Sequence, residues 1–227
     1  MTGGSRGIGR AIAKALLDAG ARVAITGRAA DALTDAETAL AAGDRLLTVQ
    51  MDVGKDADVT KAVAQTVERF GGLDILINNA GIGVFTTIAE MTTEQWASVI
   101  ETNLTGVFYC CRAAIPELKR RGGGYIINVS SLAGKNWFVN GGAYCASKAG
   151  LNAFTDILMQ EVRYDNIKVT NVAPGSVYTG FANNPIAGED WKLHGEDIAQ
   201  TVLDLLAQHP RSLPSVVEMR PSRPKKK

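Results

Sequence analysis

The chain has 227 residues, of which 46% are hydrophobic and 21% are charged. These are ordinary values for a globular domain large enough to cover a sheet on both faces. The formal net charge is +1, but five of the 24 basic side chains lie after residue 219, so residues 1–219 carry 19 basic and 23 acidic groups, a net of −4. This mildly acidic body gives no sign of a nucleic-acid surface. We predict one domain over residues 1–219 and a basic, disordered tail over residues 220–227.

The cysteines and the lengths of the apolar runs indicate the cellular compartment of the protein. Cys110, Cys111 and Cys145 are odd in number and lack metal-ligand spacing, so neither a disulfide framework nor a metal site is predicted. No apolar run approaches the ~18 residues of a membrane span, and the first residues do not resemble a signal peptide. We therefore expect a cytoplasmic protein without a membrane partner.

A glycine-rich turn opens the chain and runs directly into a stretch of helical periodicity that ends near Gly20. Glycines allow a tight turn and a close approach to a pyrophosphate, whose charge is stabilised by the helix N-terminus. A plain loop before a helix is the alternative interpretation, but the strand that follows at 23–26 provides the context that the motif requires. The residues of the turn are Gly3, Gly4, Ser5, Arg6, Gly7, Ile8 and Gly9.

Apolar strands then alternate with amphipathic helices. We predict strands at 46–50, 74–77, 125–129, 167–172 and 216–219, and helices at 31–42, 57–70, 93–121, from about 144 to 164, and 196–207. Such alternation predicts a single-domain, Rossmann-like α/β fold, with a doubly wound parallel sheet between two helical layers. Asn103 and Pro116 should bend the long helix at 93–121, and the irregular segment 176–195 is predicted to be a short lid on the substrate side.

Ligands of such sheets bind beyond the carboxyl ends of the strands. Residues with polar or glycine character follow predicted strands, or the expected position of one, and this shared placement predicts a single active site. They are Gly4, Arg28, Asp52, Asn79, Ser131 and Gly175.

Tyr144 and Lys148 are four residues apart, so they lie on one face of a helix. A lysine ammonium beside a phenol should lower the tyrosine pKa from about 10 and allow proton exchange with an alcohol oxygen near neutral pH. Ser131 could supply a hydroxyl to the same oxygen. By itself the pair is weak evidence, because an exposed tyrosine and a solvated lysine give the same spacing.

The joint pattern resembles the short-chain dehydrogenase/reductase family over nearly the whole chain. The matching features, in order, are the glycine turn, Asp52, Asn78–Gly81, Asn103, Ser131, Tyr144, Lys148 and Pro174–Gly175. The resemblance implies hydride transfer between a nicotinamide cofactor and a carbonyl or secondary alcohol, with the hydride chemistry supplied by the cofactor.

The resemblance also implies roles for single residues. Tyr144 would be the acid/base, Ser131 would polarise the carbonyl, and Lys148 would bind the nicotinamide ribose and tune Tyr144. Asn103 would hold a water in the proton relay. Asn128 and Ser130 have no such role and are expected to make strand and turn hydrogen bonds. The implied cofactor contacts are the seven residues of the glycine turn, Arg28, Asp52, Val53, Asn79, Ala80, Gly81, Tyr144, Lys148, Pro174, Gly175, Val177 and Thr179.

The residue after the second strand of the family predicts the cofactor. NAD-dependent members carry an acidic residue there for the ribose 2′-hydroxyl. Here the position is Gly27, with Arg28 next to it and Arg6 in the glycine turn. Two guanidinium groups without an opposing carboxylate favour the 2′-phosphate of NADP(H) over NAD(H). The alternative is two surface arginines without a ligand.

The sequence is compatible with several substrates, oligomeric states and functions. The substrate is a small-molecule carbonyl or alcohol, with a ketoacyl thioester, a simple ketone and a sugar carbonyl all possible. Trp137, Phe138 and Phe181 either line an apolar pocket or pack in the core. The family resemblance favours a homodimer or homotetramer. An alternative function is a nucleotide-sensing binding protein with little or no catalysis.

One departure from the family pattern concerns its first strand. Family members begin with an apolar strand before the glycine turn, and here only Met1 precedes Thr2. We expect that Met1 is a truncated or misplaced start, with roughly ten residues upstream supplying two sets of ladder bonds and the burial of four or five apolar side chains. The structure should show either a slot in place of the strand or neighbouring strands that shift to close it.

Overall fold

The computed structural model describes residues 1–181 and 191–224. Its helices are α1 (Gly7–Asp18), α2 (Ala30–Leu40), α3 (Asp56–Phe70), α4 (Thr93–Ile100), α5 (Gly106–Arg120), α6 (Gly142–Val162) and α7 (Gly195–Leu206). Its strands are β1 (Val23–Gly27), β2 (Leu46–Gln50), β3 (Ile75–Asn78), β4 (Gly124–Val129), β5 (Ile167–Pro174) and β6 (Val216–Met219).

All strand pairs are parallel, and the strand order places the site. β1 pairs with β2, and a second group runs in the order β3, β4, β5, β6. The chain moves outward in one direction from β1 to β2 and in the other direction from β3 to β6. The connections therefore reverse between β1 and β3, and at such a switch point a ligand crevice forms beyond the carboxyl ends of the strands.

The space between β1 and β3 is a slot rather than a strand. Met1 and Thr2 occupy only one end of it, where Thr2 forms a single bridge with Thr26. The Thr2 N–H donates to the Ile77 carbonyl at 3.0 Å, and the Met1 carbonyl accepts from the Thr26 N–H at 3.0 Å. The rest is a cavity of about 320 Å³. Of the two expected outcomes, the open slot is the one observed.

Helices cover both faces of the sheet, which confirms the three-layer α/β fold. Two buried apolar clusters lie on opposite sides, and adjacent strand residues such as Ile126 and Ile127 belong to different clusters. One cluster contains Ile12 of α1 and Ile198 of α7, and the other contains Val59 of α3 and residues of α5 and α6. Strands buried on both faces are continuously apolar, and this is why sequence pattern predicts them well.

The predicted helix at 93–121 is interrupted. A π-helical turn at Glu101–Thr105 separates α4 from α5, whereas Pro116 lies inside α5. A capping box of Thr92 and Gln95 begins α4. The lid predicted at 176–195 includes residues 182–190, which lie outside the described residues, as does the end of the basic tail at 225–227.

Within residues 1–181 and 191–224, no helix is long and apolar enough to cross a membrane. The same residues contain no group of three or more His, Cys, Asp or Glu side chains placed to hold a metal ion.

Candidate active site

The glycine turn is folded so tightly that neighbouring atoms occupy the places where side chains on Gly3, Gly4 and Gly9 would begin. Gly3 has a φ of +63°, a conformation that side chains rarely adopt. A Cβ on Gly9 would lie 2.1 Å from the Gly3 carbonyl oxygen. These glycines let the turn fold back on the start of α1 at Gly7, so backbone N–H groups of a helix N-terminus face the switch point, where they can bind a phosphate.

Residues that follow β3 hold the turn in place. The Thr2 hydroxyl oxygen accepts hydrogen bonds from the N–H groups of Asn79 and Ala80, each at 3.0 Å. The Asn79 side-chain amide donates to the carbonyls of Thr2 and Gly3, each at 3.1 Å. The predicted cofactor residues of the turn and of the segment after β3 are therefore brought together.

Asp52 and Val53 lie directly beyond β2, on the other side of the turn. The Asp52 carboxylate accepts the Gly54 N–H at 3.0 Å, and Val53 is buried against the place where a Gly106 side chain would begin. These contacts fix the edge of the crevice at Asp52, one of the cofactor contacts that the family resemblance implies.

Gly27, at the end of β1, lies against the glycine turn. A Cβ there would be 3.3 Å from the Ser5 hydroxyl oxygen, so an acidic side chain would crowd the turn. Because Ser5 and Gly27 adjoin, their chain neighbours Arg6 and Arg28 flank the same edge. Both arginines are exposed, and neither guanidinium makes an ion pair within the described part of the chain.

The segment after β5 closes the crevice from the far side. The Gly175 N–H donates to the Met219 carbonyl at 2.8 Å, which ties the end of β5 to β6. The Thr179 side chain lies 3.5 Å from the Cβ position of Gly7. Pro174 thus ends β5, and Gly175, Val177 and Thr179 follow it toward the start of α1.

Ser131, Tyr144 and Lys148 come together beyond β4. The Ser131 hydroxyl oxygen accepts the Ala133 N–H at 3.1 Å and shares a hydrogen bond with Tyr144. Lys148 lies one helical turn after Tyr144 in α6, and its Nζ is 6.0 Å from the Tyr144 ring centroid. The same Nζ donates to the Val129 carbonyl at 2.9 Å.

Burial shifts the pKa values of Tyr144 and Lys148. It raises the pKa of Tyr144, against an opposing hydrogen bond from Ser131, and lowers the pKa of Lys148 to about 8. The expectation that Lys148 lowers the Tyr144 pKa is therefore wrong, because the pKa is raised. The cause is that desolvation of the phenolate dominates, while the ammonium is directed to Val129.

Asn103 is buried in the π-helical turn, and its side chain is fully engaged. Its amide oxygen accepts the Ile82 N–H at 2.9 Å, and its amide nitrogen donates to the Ile82 carbonyl at 2.9 Å and to the Ser147 hydroxyl at 3.0 Å. The Cβ position of Gly81 lies 3.8 Å from the Lys148 Nζ. Asn103 thus holds the segment after β3 against the lysine.

Aromatic rings surround Tyr144 on the substrate side. Its ring centroid lies 5.7 Å from that of Phe85 and 5.6 Å from that of Phe181, and Phe85 is 5.7 Å from Phe138. Trp137 is 76% exposed and Phe138 is 48% exposed, so core packing does not explain them. Phe85 was not predicted from the sequence, since it lies in an irregular segment without periodicity.

Asn128 and Ser130 make the structural hydrogen bonds expected of them. Asn128 accepts from Asn78 at 2.8 Å, and Ser130 donates to Asn152 at 2.7 Å. Asn152, which also accepts from Asn171 at 2.7 Å, was not predicted. It links β4, β5 and α6 below the site.

A parallel sheet with a glycine turn at its switch point defines the dinucleotide-binding class of α/β proteins. The model of the short chain dehydrogenase family matches residues 1–190. An uncharacterized oxidoreductase of Staphylococcus aureus (strain MRSA252) is 35% identical over 208 residues, which are 92% of this chain and 90% of that protein. The chain therefore belongs to the short-chain dehydrogenase family, whose members are NAD(P)-dependent oxidoreductases that act on alcohol or carbonyl groups.

Two solved structures show how far the likeness extends. An alcohol dehydrogenase from the archaeon Thermococcus sibiricus, complexed with 5-hydroxy-NADP, superposes with a TM-score of 0.91 at 30% identity, covering 100% of this chain and 97% of that chain. A 3-ketoacyl-(acyl-carrier-protein) reductase from Brucella melitensis, complexed with NADH, has a TM-score of 0.90 at 27% identity, covering 98% and 96%.

Proposed function

We propose that this protein is an NADP-dependent oxidoreductase that interconverts a carbonyl and a secondary alcohol. The observation that carries the proposal is the convergence of Ser131, Tyr144 and Lys148 beside the glycine turn, at the switch point of the sheet. Acid/base, hydroxyl and ammonium groups meet there at one edge of a dinucleotide crevice.

The residues present fit a nicotinamide dinucleotide. The backbone of the glycine turn at Gly3–Gly9 would hold the pyrophosphate, and the segments after β2, β3 and β5 would hold the adenine and nicotinamide ends. When bound, the cofactor supplies the hydride or accepts it. The chain's own residues bind and orient the two reactants and move the proton.

Tyr144 is the proposed proton donor and acceptor. Because burial raises its pKa, the phenol is protonated at neutral pH, the state required to give a proton to a carbonyl oxygen. Ser131 would donate a second hydrogen bond to that oxygen, and Lys148 would bind the ribose. These three roles follow the family pattern, and the geometry above supports them.

The preference for NADP(H) rests on charge at the end of β1. Arg6 and Arg28 flank an edge where Gly27 leaves no carboxylate, and a 2′-phosphate can form bidentate hydrogen bonds with such guanidinium groups. The similar structures contain both an NADP derivative and NADH, so the support comes from the arginines rather than from those complexes.

The rings around Tyr144 favour an apolar substrate. Phe85 and Phe181 pack against the Tyr144 ring, and Phe138 packs against Phe85, so these rings offer few hydrogen-bond partners to a hydroxylated ligand. A carbonyl with an aromatic or aliphatic substituent would bury apolar surface against them, at about 25 cal/mol per Å². We therefore propose an aryl, alkyl or acyl ketone rather than a sugar.

We also propose a homodimer or homotetramer. Exposed large apolar side chains occur on three helices of one face, with Trp96 on α4, Phe108 on α5 and Ile157 on α6, and these are 43%, 42% and 55% exposed. Apolar surface of this kind is commonly buried between subunits.

The test replaces Tyr144 with phenylalanine, which keeps the ring and removes the hydroxyl. Loss of a general acid typically costs about 10²–10⁴-fold in rate, so we expect that loss in NADPH oxidation over a panel of aryl ketones, acyl thioesters and sugars. Tyr164→Phe is the matched control, because Tyr164 is 92% exposed. Full carbonyl reduction by correctly folded Tyr144→Phe would refute the role of Tyr144.

A further inference from the structure

Asn152 continues the row of polar side chains that Tyr144 and Lys148 begin on α6. The three residues are spaced four apart in this helix, so their side chains leave it on the same side. Asn152 is partly buried, and its partners lie on β4 and β5. The proposed reaction gives it no role, although its contacts lie on both sides of Ser131.

The side chain of Asn152 contacts the residue before Ser131 and the turn that follows it. Its amide oxygen accepts the Ser130 hydroxyl at 2.7 Å, and Ser130 is only 3% exposed. Its amide nitrogen lies against the place where a Gly134 side chain would begin. Gly134 ends the 3₁₀ turn Leu132–Gly134, so this turn packs directly on the Asn152 amide.

Ser131 is tied to the same turn by its own hydrogen bonds. Its hydroxyl oxygen accepts the Ala133 N–H at 3.1 Å, and its carbonyl accepts the Gly134 N–H at 3.1 Å. The direction of the Ser131 hydroxyl therefore depends on where the turn sits. Because Asn152 contacts both the turn and the end of β4, it can fix that direction from below.

Asn152 is anchored in turn by β5. Its amide oxygen also accepts the Asn171 side-chain amide at 2.7 Å, so one oxygen receives donors from two strands. Asn171 is 3% exposed, and its own amide oxygen has no hydrogen-bond partner among the described residues. An apolar side chain at position 152 would leave buried donors on both strands without an acceptor, which is unfavourable.

We propose, on the basis of the proposed function, that Asn152 is a positioning residue for Ser131. Its amide oxygen, anchored on Asn171, holds Ser130 and the following turn so that the Ser131 hydroxyl stays within hydrogen-bonding distance of Tyr144. Two hydrogen bonds to one carbonyl oxygen require both hydroxyls in place, and a misplacement of about 1 Å can cost about 10²-fold in rate. Asn152 acts through Ser131, so binding of cofactor and substrate should not depend on it.

The first experiment uses Asn152→Leu, which keeps the shape of the side chain and removes the acceptor. We expect the single-turnover rate of hydride transfer from NADPH to fall about 10–100-fold. The KM for the carbonyl substrate and the Kd for NADPH should stay within about twofold, because only the transition state requires both hydroxyls in register.

Thr170→Val is the matched control for lost stability. It removes buried hydrogen bonds to Tyr125 and to the Pro214 carbonyl, and Thr170 points to the face of β5 opposite Asn171. This variant should lower the melting temperature and leave the rate of hydride transfer unchanged. An equal loss of rate in Thr170→Val and Asn152→Leu would overturn the proposal, because the effect would then follow from stability alone.

A double-mutant cycle with Ser131→Ala tests whether Asn152 acts through the Ser131 hydroxyl. Where that hydroxyl is absent, Asn152→Leu should lower the rate by less than about twofold further. A further loss as large as in the unmutated protein would overturn the proposal. Ser130→Ala removes only the donor to Asn152 and should show the same dependence on Ser131, so it decides the question if Asn152→Leu does not fold.

Amide hydrogen exchange tests the placement of the turn without turnover. The N–H groups of Ala133 and Gly134 should exchange at least about tenfold faster in Asn152→Leu than in Thr170→Val. Equal exchange in the two variants would overturn the positioning role. Full carbonyl reduction by Tyr144→Phe, with exchange in Asn152→Leu changed as expected, would instead refute the proposed function, so the two failures are distinguishable.

Discussion

At the scale of single residues, the charges beside Gly27 can be tested against the cofactor proposal. Arg28→Ala removes one guanidinium from the edge of the crevice, and Arg163→Ala removes one from the exposed end of α6. We expect Arg28→Ala to raise the Kd for NADPH by at least about tenfold, the loss of one charge-assisted hydrogen bond of ~1.5–3 kcal/mol. The Kd for NADH should change little.

Fluorescence titration of both cofactors with both variants measures this difference. Arg163→Ala should leave both Kd values unchanged. Equal use of NADPH and NADH by the unmutated protein, or equal weakening of both by Arg28→Ala, would contradict the assignment.

A second residue-scale prediction concerns the buried amino group of Met1. Burial lowers its pKa from 8.0 to about 6. The folded chain is therefore destabilised below pH ~6, where the group must be charged in both states, and this penalty disappears as the pH rises from about 6 to 8. A shift of two pKa units corresponds to about 2.7 kcal/mol.

Urea unfolding of the chain with a free and with an acetylated N-terminus, at several pH values between about 5.5 and 8.5, measures the penalty. The acetylated chain lacks the titrating group, so its free energy of unfolding should rise about 2.7 kcal/mol less over this range. Parallel curves for the two forms would show that the amino group is not buried as a charge. The two histidines are common to both forms and cancel in the comparison.

At the scale of elements, the strands and most helices were predictable, and the π-helical turn was not. The predicted strands at 46–50 and 216–219 coincide with β2 and β6, because their apolar runs are bounded by polar or turn residues. The turn at Glu101–Thr105 depends on Asn103 bonding to Ile82 and Ser147. These partners are 21 and 44 residues away, so no local pattern reports them.

The same limit applies to parts of the candidate site. Tyr144 and Lys148 were predictable from their spacing, whereas the ring of Phe85 and the direction of the Tyr144 pKa depend on tertiary burial. Local sequence fixes which helix face a residue occupies, but not how deeply the surrounding elements bury it.

The role of Asn103 in the π-helical turn can be tested by substitution. Asn103→Ala leaves the backbone groups of Ile82 without their partners, and an unsatisfied buried group costs about 1–3 kcal/mol. We expect this loss in the free energy of unfolding in urea, together with a lower kcat, because the segment at Gly81 is no longer held against Lys148. Asn136→Ala is the control, since Asn136 is exposed. Unchanged stability and kcat in Asn103→Ala would show that the turn does not depend on this side chain.

At the scale of the whole molecule, the sheet consists of two groups of strands that are only partly joined along the seam between β1 and β3. The strand groups β1–β2 and β3–β6 are joined near the centre by Met1 and Thr2 and by the hydrogen bonds between Thr2, Gly3 and Asn79. The helices on both faces span the seam. The ligand crevice lies at the carboxyl end of the seam.

The contact between the long helix α6 and the end of β4 sets the geometry of the candidate site. Tyr144 and Lys148 share this helix, so a small displacement along its axis moves both together and leaves their spacing unchanged. Their distance to Ser131, which lies just beyond β4, is altered. Three hydrogen bonds of 2.9 Å or less span this contact, from Lys148 to Val129, from Ser130 to Asn152 and from Asn128 to Thr155. The precision of the reacting geometry therefore depends on the stiffness of this helix–strand contact, together with the bonds that Asn103 makes to Ile82 and to Ser147 of α6.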